Sequence, residues 1–152
     1  MTTMTEQTIQ VYAVFIRATA EQVWDAITKP EFTSRYFYGS VIDSTWEPGS
    51  PYLGRSADGS QQFVDGEVLE ANPPRLLRHT WRSLWDEASA SEPYSRVTWE
   101  IEPQEGGVTK LTVVHDRLEA SPKTAESVAG GWSYVLSGLK TLLETGEPLE
   151  SA

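Results

Sequence analysis

Cysteine is absent from the sequence, and histidine occurs only twice among its 152 residues. A chain without cysteine can form neither a disulfide bond nor a thiolate ligand, which is compatible with a reducing cytoplasm. Zinc sites are built mostly from cysteine and histidine, and the two histidines, His79 and His115, lack the i, i+4 spacing of a helical site. We therefore expect no metal ion or other cofactor and a cytoplasmic location.

Basic residues are also scarce. The sequence has 12 lysines and arginines against 22 aspartates and glutamates, which gives a formal net charge of −10. A polyanionic nucleic acid is repelled by such a field unless a basic cluster overcomes it locally. The sequence contains no basic cluster of this kind, so we expect no nucleic-acid partner.

Long hydrophobic runs are missing as well. No segment approaches the roughly 18 consecutive apolar residues of a membrane span. The first residues, Met1 to Glu6, lack the basic region and apolar core of a signal peptide. Apolar residues nevertheless make up 39% of the chain, which is enough for one domain of this length to bury a core. We expect a single domain without a membrane span.

The longest periodic pattern lies near the C-terminus. Its apolar residues recur at steps of three and four, which is typical of one apolar stripe on an α-helix. Gly146 and Pro148 end the pattern with a residue that favours left-handed backbone and one that cannot continue a helix. We predict one long helix over roughly residues 124–144. The stripe consists of Ala125, Val128, Ala129, Trp132, Val135, Leu136, Leu139, Leu142 and Leu143.

Two glycines, Gly131 and Gly138, lie together at the edge of this stripe. Glycine weakens a helix interior by about 1 kcal/mol relative to alanine. Their presence indicates either a close approach of another backbone or an opening left beside the helix. Trp132 lies at the middle of the stripe, so we expect it to face the sheet while Ser133 and Ser137 face water.

Most of the preceding chain alternates with period two, which predicts strands. The first of these strands is apolar on both faces and is therefore expected to be covered on both sides. Residues 83–93 are polar and irregular and are interpreted as a loop. The predicted strands are residues 9–17, 41–46, 52–55, 63–71, 76–82, 94–102 and 108–116.

Two short helices are predicted between the first and second strands. Thr19 and Gln22 have the spacing of a capping box at the start of the first helix. Pro30 can occupy the first position of the second helix. The whole pattern predicts an α+β fold, in which a curved antiparallel sheet of about six or seven strands wraps around the long C-terminal helix.

Several short stretches, taken in this order, resemble one superfamily. They are VWDAITKPEF at 23–32, YFYG at 36–39, WEPGS at 46–50, GEVLEANPP at 66–74, WEIEP at 99–103, and GW at 131–132 followed by LKTLL at 139–143. The sequence resembles the START-like helix-grip superfamily (SRPBCC), and within it the bacterial homologues of the heat-shock-protein-90 ATPase activator. The resemblance covers about residues 9–149 and implies a single helix-grip domain over residues 1–152, with an apolar cavity between sheet and helix.

Three functions follow from this resemblance. The first is binding of a small hydrophobic or aromatic molecule in the cavity, which the six tryptophans and six tyrosines also favour. The second is a cyclase or aromatase-like enzyme that uses cavity histidines and carboxylates. The third is a partner-binding module in the stress response or in chaperone regulation. The sequence has no Ser-His-Asp order and no phosphate-binding glycine loop, so a role without catalysis is favoured.

The candidate ligand-binding residues are those that alternation or helical spacing turns toward the cavity. Each histidine could be a polar handle or general acid–base group, or could simply be hydrogen-bonded within the wall, and the last interpretation is favoured. The charged residues Asp65, Glu67, Glu70 and Arg78 are interpreted as a solvated face. The candidates are Trp81, Trp99, His79, His115, Trp132 and Leu136.

Overall fold

The computed structural model describes residues 9–150. The elements within these residues are β1 (Gln10–Ile16), α1 (Ala20–Thr28), α2 (Pro30–Tyr36), β2 (Val41–Asp43), β3 (Pro51–Arg55), β4 (Gln62–Asn72), β5 (Leu76–Ser83), α3 (Glu87–Ala90), β6 (Ser95–Pro103), β7 (Thr109–Asp116), α4 (Pro122–Ala129) and α5 (Gly131–Thr145). No helix within residues 9–150 is long and apolar enough to cross a membrane.

The strands form one curved antiparallel sheet of seven strands in the order β1-β7-β6-β5-β4-β3-β2. Strands from the two ends of the chain therefore meet at one edge, where β1 pairs with β7. Helices α1 and α5 pack on this sheet and contact each other. The core lies between these helices and the inner face of the sheet. The predicted α+β helix-grip fold is confirmed.

The two short helices begin as the sequence predicts. The Gln22 amide donates to Thr19 Oγ1 over 3.1 Å, and the Thr19 amide donates to Gln22 Oε1 over 2.8 Å. Each bond satisfies an amide that the first turn of a helix would otherwise leave without a partner. Pro30 is the first residue of α2.

The C-terminal helix is bent rather than continuous, which corrects the prediction of one uninterrupted helix over residues 124–144. Helix α4 ends at Ala129 and α5 begins at Gly131. The intervening Gly130 adjoins a second glycine, and two weak helix formers in succession favour a break. Gly146 ends α5 with φ of 81°, and its amide donates to Leu142 O over 2.8 Å.

The prediction that the first strand is covered on both faces is wrong. Val11 is 59% exposed, and Ile9 and Phe15 on the same face are also exposed. Strand β1 is an edge strand, and α5 covers only its other face, on which Ile16 is buried. The alternating sequence pattern shows which residues share one face of a strand, but it does not show whether a helix packs on that face.

The predicted loop over residues 83–93 contains the short helix α3. Asp86 caps this helix by accepting from the Ser89 amide over 2.8 Å. Glu92 then accepts from the backbone amides of Lys123 and Thr124 over 2.8 and 2.9 Å. Hydrogen bonds to Glu92 therefore join this segment to the first turn of α4.

Candidate ligand pocket

A pocket of about 420 Å³ lies between the sheet and the bent C-terminal helix. The chain segment after α2, strands β4 and β5, and both C-terminal helices contribute to its wall. Six of its twelve lining residues are aromatic, so ring surface dominates the wall. The lining residues are Phe37, Tyr38, Ser40, Phe63, Val64, Trp81, Trp85, Ser127, Val128, Gly131, Trp132 and Val135.

Two aromatic residues mark the mouth of the pocket. Tyr38 is 62% exposed and Trp85 is 44% exposed, so both lie where the pocket meets the surface. Tyr38 has φ of 54°, an unfavourable backbone conformation for a residue with a side chain. Its ring stacks on Tyr134, with centroids 5.3 Å apart and planes inclined by 19°. This stacking helps to hold the mouth residue in place.

The two glycines of the stripe turn out to differ. A Cβ atom on Gly138 would lie 3.1 Å from Tyr36 Cβ, so this glycine permits close packing of α5 on α2. A Cβ atom on Gly131 would meet only Tyr38 Oη, at 3.6 Å, and Gly131 lines the pocket. One glycine therefore marks a packed contact and the other marks an opening.

Trp81 and Trp132 form the inner wall, with ring centroids 5.5 Å apart. The Trp81 indole N–H donates to Ser83 Oγ over 3.0 Å. The Trp132 indole N–H donates to His115 Nδ1 over 3.0 Å. An indole has only one polar atom, and in both tryptophans this atom is hydrogen-bonded to the protein. The two rings therefore present apolar surface to the pocket.

His115 fixes the position of the Trp132 ring through a hydrogen bond. Its Nδ1 accepts the indole N–H, so the proton lies on Nε2, which donates to Ser95 Oγ at 2.7 Å. Ser95 in turn donates to Trp81 O over 3.3 Å. Burial, with a smaller contribution from His79, lowers the pKa of His115 to about 3. The imidazole is neutral and links the two tryptophans of the wall.

His79 makes a parallel arrangement deeper in the core. Its Nε2 accepts from Trp99 Nε1 over 3.0 Å, and its Nδ1–H donates to Thr80 O over 2.9 Å. The Tyr52 ring stacks on it at a centroid distance of 3.7 Å. Burial lowers the pKa of His79 to about 4. The prediction that both histidines are hydrogen-bonded within the wall is confirmed.

The structure divides the six candidate ligand-binding residues into two groups. Trp81 and Trp132 line the pocket. Trp99, His79, His115 and Leu136 are buried and are not among the lining residues. A side chain from outside the predicted set lines the pocket and lies close to both Trp99 and Trp132. This side chain is Phe37, whose ring lies 6.5 Å from Trp99 and 5.9 Å from Trp132.

Several lining residues were missed by sequence reasoning, among them Phe37, Ser40, Phe63 and Trp85. Phe37 lies in the YFYG stretch that carries part of the family resemblance. This resemblance could have been used to select Phe37 as a candidate lining residue. Trp85 lies in the segment interpreted as a loop, and nothing in its neighbours indicates that it borders a pocket.

The lining residues include no imidazole, carboxylate or basic side chain. Two of the candidate carboxylates are engaged elsewhere: Asp65 with Arg82, at 3.0 and 2.8 Å, and Glu70 with Arg78, at 2.7 Å. Both pairs are partly exposed, in agreement with a solvated face. Within residues 9–150, no three histidine, aspartate or glutamate residues lie close enough together to hold a metal ion.

The model of the family "Activator of Hsp90 ATPase homolog 1-like protein" matches residues 17–144. The chain belongs to this family. No curated protein sequence matches it. The predicted resemblance to the START-like helix-grip superfamily and its Hsp90-activator homologues is thereby confirmed.

Solved structures of other proteins share the fold of this chain. CalU16 from Micromonospora echinospora is 23% identical, with a TM-score of 0.72 over 92% of this chain and 76% of that one. An HSP90 activator from Plasmodium falciparum is 23% identical, with a TM-score of 0.70 over 93% and 98%. The Aha1 dimer from Colwellia psychrerythraea is 17% identical, with a TM-score of 0.70 over 91% and 97%. At such identities the likeness concerns the fold alone.

Proposed function

We propose that this protein binds a small hydrophobic, preferably aromatic, molecule in the pocket between the sheet and the bent C-terminal helix. The observation that carries the proposal is the pocket itself, which has a volume of about 420 Å³ and six aromatic lining residues. Small-molecule sites are typically concave and mostly apolar, with volumes of about 300–1,000 Å³.

The energetics of binding favour a flat apolar molecule. Removing apolar surface from water contributes about 25 cal/mol per Å², less the cost of immobilising the ligand. Trp81 and Trp132 are held by hydrogen bonds to Ser83 and His115 before any ligand arrives. A wall that is already ordered loses little further entropy on binding.

The test is a titration with phenanthrene, followed by tryptophan fluorescence and by melting temperature. We expect saturable quenching, and a stabilisation of about 2.7 kcal/mol at a free concentration one hundred times the Kd. Ser127 is an exposed pocket residue on α4, so Ser127→Phe should obstruct the pocket and abolish the effect. Ser133→Phe is the matched control, because Ser133 is exposed on α5 and does not line the pocket.

Two results would contradict the proposal. One is the absence of any response to phenanthrene by the wild-type protein. The other is an unchanged affinity in a folded Ser127→Phe variant, which would place the binding elsewhere on the surface.

A second candidate function is binding of a protein partner. The exposed Ile9, Val11 and Phe15 form an apolar strip on one face of β1, and contiguous exposed apolar surface is typical of interaction sites. Membership of the Hsp90-activator family supports a chaperone of that kind as the partner. This strip and the pocket share no residues, so variants can separate the two functions.

The test measures the ATPase rate of an Hsp90-type chaperone with and without this protein. If the strip is the contact, Val11→Glu should remove any stimulation, whereas Ser137→Glu, at an exposed position on α5, should preserve it. Stimulation that survives Val11→Glu would rule out the strip as the contact.

A further inference from the structure

We infer that the pocket selects uncharged ligands that carry a hydroxyl group and that Ser40 is the residue that recognises this group. The inference rests on the proposed ligand-binding function and specifies the ligand class. It depends on two features of the described lining residues: the absence of charge, and one buried hydroxyl that has no hydrogen-bond partner within residues 9–150.

The pocket offers nothing that compensates a charged ligand. The polar side-chain groups of the described lining residues are all uncharged: the hydroxyls of Tyr38, Ser40 and Ser127, and the indole N–H groups of three tryptophans. A carboxylate moved from water to an apolar site costs several kcal/mol unless charged donors receive it, and none of the lining residues is basic. The formal net charge of −10 adds long-range repulsion of anions. Fatty acids and aromatic carboxylates are therefore poor ligands.

Ser40 is a buried lining residue whose hydroxyl is not completely sealed from solvent. Ser40 lies directly before β2 and is only 6% exposed. Its amide donates to Phe37 O over 2.9 Å, but its Oγ has no hydrogen bond to any residue within 9–150. Among the described residues, the only side-chain polar atom that is both sealed from solvent and unbonded is Ser89 Oγ. Ser40 Oγ therefore keeps some accessible surface, and Ser40 is one of the residues that line the pocket.

Tyr38 Oη and Trp85 Nε1 also have no hydrogen bond to any residue within 9–150, but both belong to exposed side chains that water can reach. Other polar atoms of the pocket are already engaged. Ser127 Oγ donates to Thr124 O over 3.1 Å within α4. The indole N–H groups of Trp81 and Trp132 donate to Ser83 and His115. Buried polar groups in proteins are nearly always hydrogen-bonded, and a serine hydroxyl can rotate to donate or to accept. A ligand hydroxyl can either accept a hydrogen bond from Ser40 or donate one to it, whereas a bound hydrocarbon leaves the Ser40 hydroxyl without a hydrogen bond.

The experiment compares three probes of one ring skeleton at neutral pH: phenanthrene, hydroxyphenanthrene and phenanthrenecarboxylate. We expect hydroxyphenanthrene to bind about 3- to 10-fold more tightly than phenanthrene, the gain from one neutral hydrogen bond. We expect phenanthrenecarboxylate to bind at least about 10-fold more weakly than hydroxyphenanthrene. Calorimetry or tryptophan quenching gives the three values of Kd.

The Ser40→Ala variant identifies the residue responsible. It should bind hydroxyphenanthrene and phenanthrene with equal affinity, because alanine can form a hydrogen bond with neither. Ser127→Ala is the matched control and should keep the wild-type preference, because the hydroxyl of Ser127 is already bonded within its helix. An unchanged melting temperature shows that each variant is folded, and Ser40→Gly replaces Ser40→Ala if the latter is not.

The outcomes of this experiment distinguish the inference about Ser40 from the proposed ligand-binding function on which it rests. Binding of phenanthrene without any preference for hydroxyphenanthrene, or tightest binding of the carboxylate, would overturn the inference and leave ligand binding intact. A preference that persists in Ser40→Ala would overturn the role of Ser40. If none of the three probes binds the wild-type protein, the proposed function itself fails.

Discussion

Two tryptophan–histidine pairs in the core have the same hydrogen bond but different surroundings: Trp99 and His79 both lie on the sheet, whereas Trp132 of α5 reaches His115 on the sheet. In both, the indole N–H donates over 3.0 Å to a buried neutral imidazole: Trp99 to His79 and Trp132 to His115. Trp99 is packed on all sides, whereas Trp132 borders the pocket. The same local chemistry thus serves a filled core in one place and a pocket wall in the other. The rings of Phe37 and Trp132, which line the pocket, lie 6.5 and 5.4 Å from Trp99, which does not line it.

The largest expected effect comes from truncating the two tryptophans. Trp99→Ala should lower the free energy of unfolding by about 4–5 kcal/mol, near the upper end for a fully packed aromatic residue. Trp132→Ala should cost about 3 kcal/mol, because one side of its ring already borders open space. Urea denaturation measures both. Equal losses would indicate that the two environments do not differ.

The pH dependence of stability probes both histidines together. Their pKa values are lowered by burial, to about 4 for His79 and about 3 for His115, so the unfolded chain takes up protons first as pH falls. Stability is therefore fully present above about pH 6.5 and is lost as pH falls toward those values. The slope between about pH 6 and 5 should reach about 2.7 kcal/mol per pH unit for two groups.

A histidine variant sharpens this comparison. In His79→Gln, one of the two proton-binding groups is removed, so the slope should fall to about half, or about 1.4 kcal/mol per pH unit. Denaturation at several pH values above 5 gives the slope with little contribution from carboxylates. A slope that is the same in the variant and the wild type would mean that His79 titrates alike in the folded and unfolded states.

The smallest expected effect comes from the two glycines of α5. Gly138→Ala places a Cβ 3.1 Å from Tyr36 Cβ, and the crowding should outweigh the helix propensity gained, for a net loss of about 1 kcal/mol. Gly131→Ala meets only Tyr38 Oη at 3.6 Å and should be neutral or stabilising by up to about 1 kcal/mol. Melting temperatures of both variants measure the difference, and the reverse order would contradict the assignment of a packed contact and an opening.

The fold was predictable because period-two and period-3.6 patterns report local geometry directly. Strands β4 to β7 lie close to their predicted limits. Strand β2 is shorter than predicted, since Ser44 Oγ accepts from the Trp46 amide and Trp46 adopts φ of 65°. That turn depends on a local hydrogen bond that alternation does not register.

The pocket was only partly predictable. Alternation correctly turned Trp81 toward the helices, and helical spacing did the same for Trp132. Periodicity gives the direction of a side chain but not the depth at which it lies. Trp81 and Trp99 both point inward, but only Trp81 lines the pocket. Trp99 lies close to Phe37, a lining residue at the end of α2. Packing between residues that are distant in the sequence can be identified only from the three-dimensional structure.

The most direct test of ligand binding in this pocket follows the indole N–H signals of the six tryptophans by ¹H–¹⁵N NMR during addition of phenanthrene. The account predicts that the signals of Trp81, Trp85 and Trp132 shift, because these three line the pocket. The signals of Trp24 and Trp46, which lie outside it, should stay in place. Unchanged signals for the three pocket tryptophans, or shifts confined to Trp24 and Trp46, would contradict the central claim.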